Sequence, residues 1–115
     1  MMGLLSLAEL PSGFEYPRQF RRLVDLQLTK LEPWWVIEGE LLAERFLGLR
    51  ERYANRTLVP FAVRQDNDDV AGWDVDRGDI VIVHDFASPG SEQRGAYAKF
   101  EDWLRAAIED FLEFE

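Results

Sequence analysis

The sequence predicts an α+β domain: a central, mainly antiparallel sheet flanked by N-terminal helices and a C-terminal amphipathic helix. Three observations lead there. Apolar residues recur at helical spacing near both ends of the chain, and the period shortens to that of strands between Thr57 and Phe86. Asp, Asn and Gly gather between the strand-like runs, where hairpins need them.

Taken in order, Leu10-Pro11-Ser12-Gly13-Phe14 reads as an irregular lead-in. Pro17 suits a first helical position, where a missing N–H costs nothing. Phe20, Leu23, Val24, Leu28 and Leu31 then form one apolar stripe, with Arg18, Arg21 and Arg22 mostly on the other side, until Pro33 ends the helix. Beyond Trp34 and Trp35 a second helical pattern runs through Leu42, Phe46, Leu49 and Tyr53. Gly39 and Gly48 each weaken it by about 1 kcal/mol if interior.

Leu58 to Val63 reads as a strand that Pro60 pushes toward a sheet edge or a bulge. Asp66-Asn67-Asp68-Asp69 is a turn. A second strand runs from Val70 to Val75, and Asp76-Arg77-Gly78 forms a three-residue hairpin loop with Gly78 in the left-handed position. The third strand, Ile80 to Phe86, is apolar at four successive places and should lie centrally, covered on both faces. Ser88-Pro89-Gly90-Ser91 opens a longer loop. In the last helix Phe100, Trp103, Leu104, Ala107, Ile108 and Phe111 share one face. Glu101 and Asp102 suit its N-terminal dipole, whereas Glu109, Asp110, Glu113 and Glu115 oppose it at the other end.

No repeat or low-complexity linker divides residues 1–115, which fit a single domain. The net charge is −9, from 22 acidic and 13 basic side chains. Such a field disfavours nucleic acid and anionic membranes and attracts basic partners. With no cysteine, disulfides and thiolate chemistry are excluded. The stretch Met1 to Leu10 is too short to span a bilayer and lacks the basic start of an export signal, so the expected location is the cytoplasm.

No recognised catalytic motif stands out, although a pair of carboxylates could do acid–base work without a histidine. The single histidine, His84, lies in the most apolar strand, and Asp85 beside it points to the opposite sheet face, so the two form no dyad there. Neither Asp66-Asn67-Asp68-Asp69 nor Asp74-Val75-Asp76-Arg77-Gly78 has the ligand spacing of a calcium loop, and no phosphate-binding glycine motif exists. No cofactor, metal site or catalytic residue is expected. Trp34 and Trp35 are adjacent, so in an extended segment only one can point inward, leaving the other as a surface anchor.

Leu58-Val59-Pro60-Phe61-Ala62, the acidic turn, Trp73-Asp74, Val81-Ile82-Val83-His84-Asp85-Phe86 and Phe100-Glu101-Asp102-Trp103-Leu104 together resemble the SUKH superfamily. That group contains bacterial immunity proteins of toxin systems and the yeast regulator of cell-wall assembly. The likeness covers about Thr57 to Phe111. Lys99 departs from it, standing where a small hydroxyl residue is expected to cap the last helix.

The resemblance implies a non-enzymatic module that binds protein, such as an immunity protein that neutralises a cognate toxin, often a nuclease. It transfers no interface residue by residue. The acidic excess suits a basic toxin, and the candidate contact residues are Asp66, Asp68 and Asp69 on the turn, Asp76 on the hairpin, Glu109, Asp110 and Glu113 on the last helix, and Trp34 or Trp35 as anchor. A regulatory or scaffold role and small-ligand binding in a cleft between sheet and helices remain the alternatives.

Overall fold

A computed structural model describes residues 3–114. Three helices and six strands follow in the order α1 (Arg18–Asp25), β1 (Lys30–Leu31), β2 (Trp34–Val36), α2 (Gly39–Arg52), β3 (Leu58–Arg64), β4 (Asp69–Asp74), β5 (Asp79–His84), β6 (Gln93–Tyr97) and α3 (Phe100–Glu113). The strands form one antiparallel sheet in the order β1-β2-β3-β4-β5-β6, so the α+β architecture expected from the sequence is present. None of the described helices is long and apolar enough to cross a membrane.

The first helix is shorter than its apolar stripe. Gln27 enters the left-handed region at φ 59°, its N–H bonds Val24 O at 2.9 Å, and Leu28 N–H bonds Leu23 O at 3.0 Å. These two bonds close the helix end on itself. Residues beyond it are free to pair as the hairpin of β1 and β2, with Leu31 opposite Trp34.

Pro60 makes a bulge and not an edge: the register slips between Pro60 and Ala62, and β3 lies between β2 and β4. Gly72 permits the close approach there. A Cβ at Gly72 would stand 2.7 Å from Val59 O and 3.1 Å from Pro60 Cα, both backbone atoms. The β4–β5 loop runs from Val75 to Gly78, one residue longer than expected, with Gly78 at φ 78°. β5 is covered on both faces, as its apolar run predicts, but it lies one strand from the β6 edge instead of at the centre, and it ends at His84. The loop after it turns back into β6, an edge strand whose polar, largely exposed residues carry no strand signal of their own.

Alternation sorts the side chains of the sheet. Phe61, Trp73, Ile80 and Ile82 join Phe20, Phe100 and Trp103 of α1 and α3 in the larger core. Leu58, Val70, Val81 and Val83 face the other way, against Leu49 and Tyr53 of α2.

Candidate protein-binding surface

Register brings the β3–β4 and β5–β6 connections to the same end of the sheet. Asp69 pairs with His84 across the ladder, and the next residue, Asp85, donates its N–H to Asp68 O at 3.0 Å. Arg64, the last residue of β3, holds Asp66 with two hydrogen bonds of 2.8 and 2.9 Å and reaches Asp110 of α3 at 3.5 Å. The acidic turn and the acidic end of α3 therefore meet. Asp76 lies at the opposite end of the sheet, on the β4–β5 loop, and does not join them.

The expected contact residues divide by burial. Asp68, Glu109 and Glu113 are exposed and make no ion pair among the described residues. Asp66 is exposed but engaged, and the Arg64 hydrogen bond holds its carboxyl below the usual range. Asp110 is half-buried and shared between Arg64 and the indole N–H of Trp34, the latter at 3.4 Å. Glu115 lies outside the described residues.

Two expectations need correction. Asp69 is buried, because the first residue of β4 points into the α3 side of the sheet. His84 Nδ1 lies 3.0 Å from its carboxylate, and Arg94 Nε lies 3.4 Å away. Trp34 is also buried, edge-on to Trp103 at 5.6 Å, so it is core and not anchor. Alternation turns Trp35 outward instead, 41% exposed, with its N–H on Gln65 Oε1 at 2.6 Å and Lys30 Nζ 5.8 Å above the ring.

The α2 side of the same end is built on Asp85, which is fully buried. Arg52 grips it with bonds of 2.7 and 2.8 Å, and Arg45 adds one of 2.9 Å. Arg45 and Arg52 lie two turns apart on one stripe of α2. Gly48 sits on that stripe between them, and a Cβ there would meet Arg52 Nη2 at 2.5 Å. The glycine that weakens the helix on paper thus makes room for the guanidinium.

Asp85 also accepts the N–H of Phe86 at 2.9 Å, and Ala87 N–H closes the turn on His84 O at 3.2 Å. The Tyr53 hydroxyl donates to Ala87 O at 2.8 Å, with His84 O also in reach at 3.3 Å. Burial, then the charges of Asp85 and Glu92, raise the Tyr53 phenol, keeping it a donor. So pinned, Phe86 adopts φ 70°, a place glycine fills freely and which costs a side-chain-bearing residue about 1–2 kcal/mol. Its ring is nevertheless 62% exposed, lying against Arg52 at 4.2 Å and Arg45 at 5.6 Å.

Further along the same face, Arg56 holds Glu92 at 2.9 Å and Asp74 at 3.2 Å. Burial alone would raise the Glu92 carboxyl. The Arg56 hydrogen bond and backbone N–H donors outweigh it, and the net shift is downward. A carboxyl acting as general acid near neutral pH must be pushed the other way. Each buried carboxylate, Asp69, Asp74, Asp85 and Glu92, is bonded to an arginine. Asp79 Oδ1 is the one buried side-chain polar atom without a partner among the described residues, while Arg77 holds its other oxygen at 3.1 Å.

Asn67 Oδ1 accepts the Asp69 N–H at 2.8 Å, so the acidic turn is stabilised by its own side chain. No cluster of three potential metal-binding side chains exists among the described residues. Asp85 and Phe86 carry little sequence signal as a site. Their partners are more than thirty positions away in the chain, and a left-handed phenylalanine has no pattern of its own. No known protein family, curated protein or solved structure matches this chain.

Proposed function

We propose that this chain is a non-enzymatic protein-binding module, an immunity protein of SUKH type that neutralises a basic, nuclease-type toxin in the cytoplasm. One observation carries the reading. Exposed, unpaired carboxylates of the β3–β4 turn and of α3, Asp68, Glu109 and Glu113, gather at the end of the sheet where arginine has neutralised the buried ones. What remains outward is negative charge without a counter-ion, the complement of a surface built to hold phosphates. The exposed Trp35 supplies an aromatic contact on the sheet, and the SUKH likeness between Thr57 and Phe111 supplies the class of partner.

The test is co-expression in a bacterial host with the polypeptide encoded by the adjacent reading frame. Growth lost to that polypeptide should return when this chain is present. The purified pair should form a complex whose affinity falls about tenfold or more between low and high salt. A toxic neighbour that is neither bound nor relieved would overturn the reading, as would a complex indifferent to salt.

A further inference from the structure

We infer that Phe86 is the anchor of this surface, a preset aromatic knob for an apolar socket on a basic protein partner. The inference rests on the protein-binding function proposed above and deepens it. Two independent observations meet at this residue. Its backbone occupies a conformation that favours glycine, and its ring is one of the more exposed large apolar groups in the chain. A phenylalanine selected for the fold would be buried, and a residue selected for the turn would be glycine. Phe86 serves neither purpose, so its value lies outside the molecule.

The mounting is rigid. Asp85 holds the Phe86 N–H, Tyr53 holds the carbonyl of Ala87, and the two arginines that clamp Asp85 also flank the ring. A side chain fixed before contact loses little freedom on binding, as suits a hot-spot residue.

The rim identifies the partner's chemistry. Asp68, whose carbonyl accepts the Asp85 N–H, brings an exposed carboxylate to one side. Glu44 and Glu51, each one residue before the flanking arginines, stand about 100° round α2 on its solvent side and are exposed. Asp85 offsets one of the two guanidinium charges beside the ring, and the exposed carboxylates of Asp68, Glu44 and Glu51 outweigh the other, so the surround is net negative. The fitting occupant is a protein with an apolar pocket rimmed by Lys and Arg.

The experiment uses the full chain and the toxic polypeptide encoded beside it, with two readouts on each variant: affinity by calorimetry and thermal stability. Phe86→Gly should weaken binding at least about 30-fold, while its Tm stays within a degree or two of the parent or rises above it. Phe86→Tyr should bind within a few-fold of the parent. Arg18→Gln, exposed on α1, should change neither readout.

A complex that forms normally with Phe86→Gly sinks the anchor and leaves the protein-binding function standing. The absence of any complex with the parent chain removes both. A Tm for Phe86→Gly lower by many degrees would show that the ring serves the fold, as a shield over the Arg52–Asp85 pair, and would overturn the inference even without a partner. Self-association of the parent that Phe86→Gly abolishes would make the occupant a second copy and dismiss the basic partner.

Discussion

On one face of the sheet Phe20, Phe61, Trp73, Phe100 and Trp103 close on one another with ring centroids 4.6–6.2 Å apart. On the other, Leu49 and Tyr53 share the space with Arg45, Arg52 and Arg56 and with the carboxylates they neutralise. The rings bury large apolar areas, and each touches several others in mostly edge-to-face or tilted pairs, so that face supplies stability. Ion pairs taken out of water gain little net stability over apolar packing, but they fix positions. The difference teaches where shape is specified. The aromatic face holds the sheet together, and the ionic face sets the turn that carries Phe86.

The sharpest test of this division is Trp103→Ala. Trp103 is 1% exposed and lies 4.7 Å from Phe61, so its loss should cost about 3–5 kcal/mol in urea unfolding while leaving the β5–β6 turn intact. A cost below 1 kcal/mol would mean that the aromatic face is not the source of stability.

On the ionic face, direction matters more than number. Replacing Arg45 and Arg52 together by Ala leaves a fully buried carboxylate unpaired and should cost about 3–5 kcal/mol. Asp85→Ala should cost less, about 2–3 kcal/mol, because the two arginines, 23% and 30% exposed, can turn to water. Equal costs in chemical denaturation would show that burial of Asp85 is not what decides.

The faces should also fail at opposite ends of the pH scale. Burial, against the opposing Leu5 N–H, pushes the Tyr16 phenol of the aromatic face from 10.0 to about 12. Above pH 10 the unfolded chain releases that proton and the folded chain keeps it. Stability should therefore fall between pH 10 and about 12, by about 2–3 kcal/mol, and Tyr16→Phe should remove the loss. Glu92 on the ionic face runs the other way. Its folded pKa lies below 4.5, so its contribution is whole above that value and disappears as pH falls through the lower folded one. Denaturant midpoints across both ranges, with Glu92→Gln as the acid-side comparison, check the pair.

The smallest effect is the most discriminating. Gly48→Ala gains helix propensity but displaces the Arg52 guanidinium from over the helix. In the parent these should nearly cancel, within about 1 kcal/mol. In an Arg52→Ala background only the gain remains, about 0.5–1 kcal/mol. A double-mutant cycle showing no coupling would break the link between the glycine and the clamp.

How much of this was legible in the sequence follows from where each signal resides. β3, β4, β5 and α3 advertise themselves through apolar periodicity, because each is packed by its own residues. The β1–β2 hairpin does not, since strands of two and three residues are too short to show a period, and Leu28 and Leu31 mimic another turn of helix. β6 is a strand only because β5 offers it an edge. The acidic turn was readable as a turn, and Asp68 as exposed. Asp69 was not readable as buried, because its position depends on a ladder partner and on Arg94. The clamp on Asp85 was out of reach for the same reason: local rules place Asp85 opposite His84, but nothing local says that α2 delivers two arginines to it.

The missing methyl at Gly48 ties one turn of α2 to a residue thirty-three positions beyond Arg52. Any cousin of this protein that fills position 48 must find another seat for the guanidinium of residue 52, and a carboxylate at 85 then keeps only the arginine at 45. These positions should drift through descent as a set, glycine, arginine and aspartate kept or abandoned together, so that the history of a surface turn is written inside the helix packed beneath it.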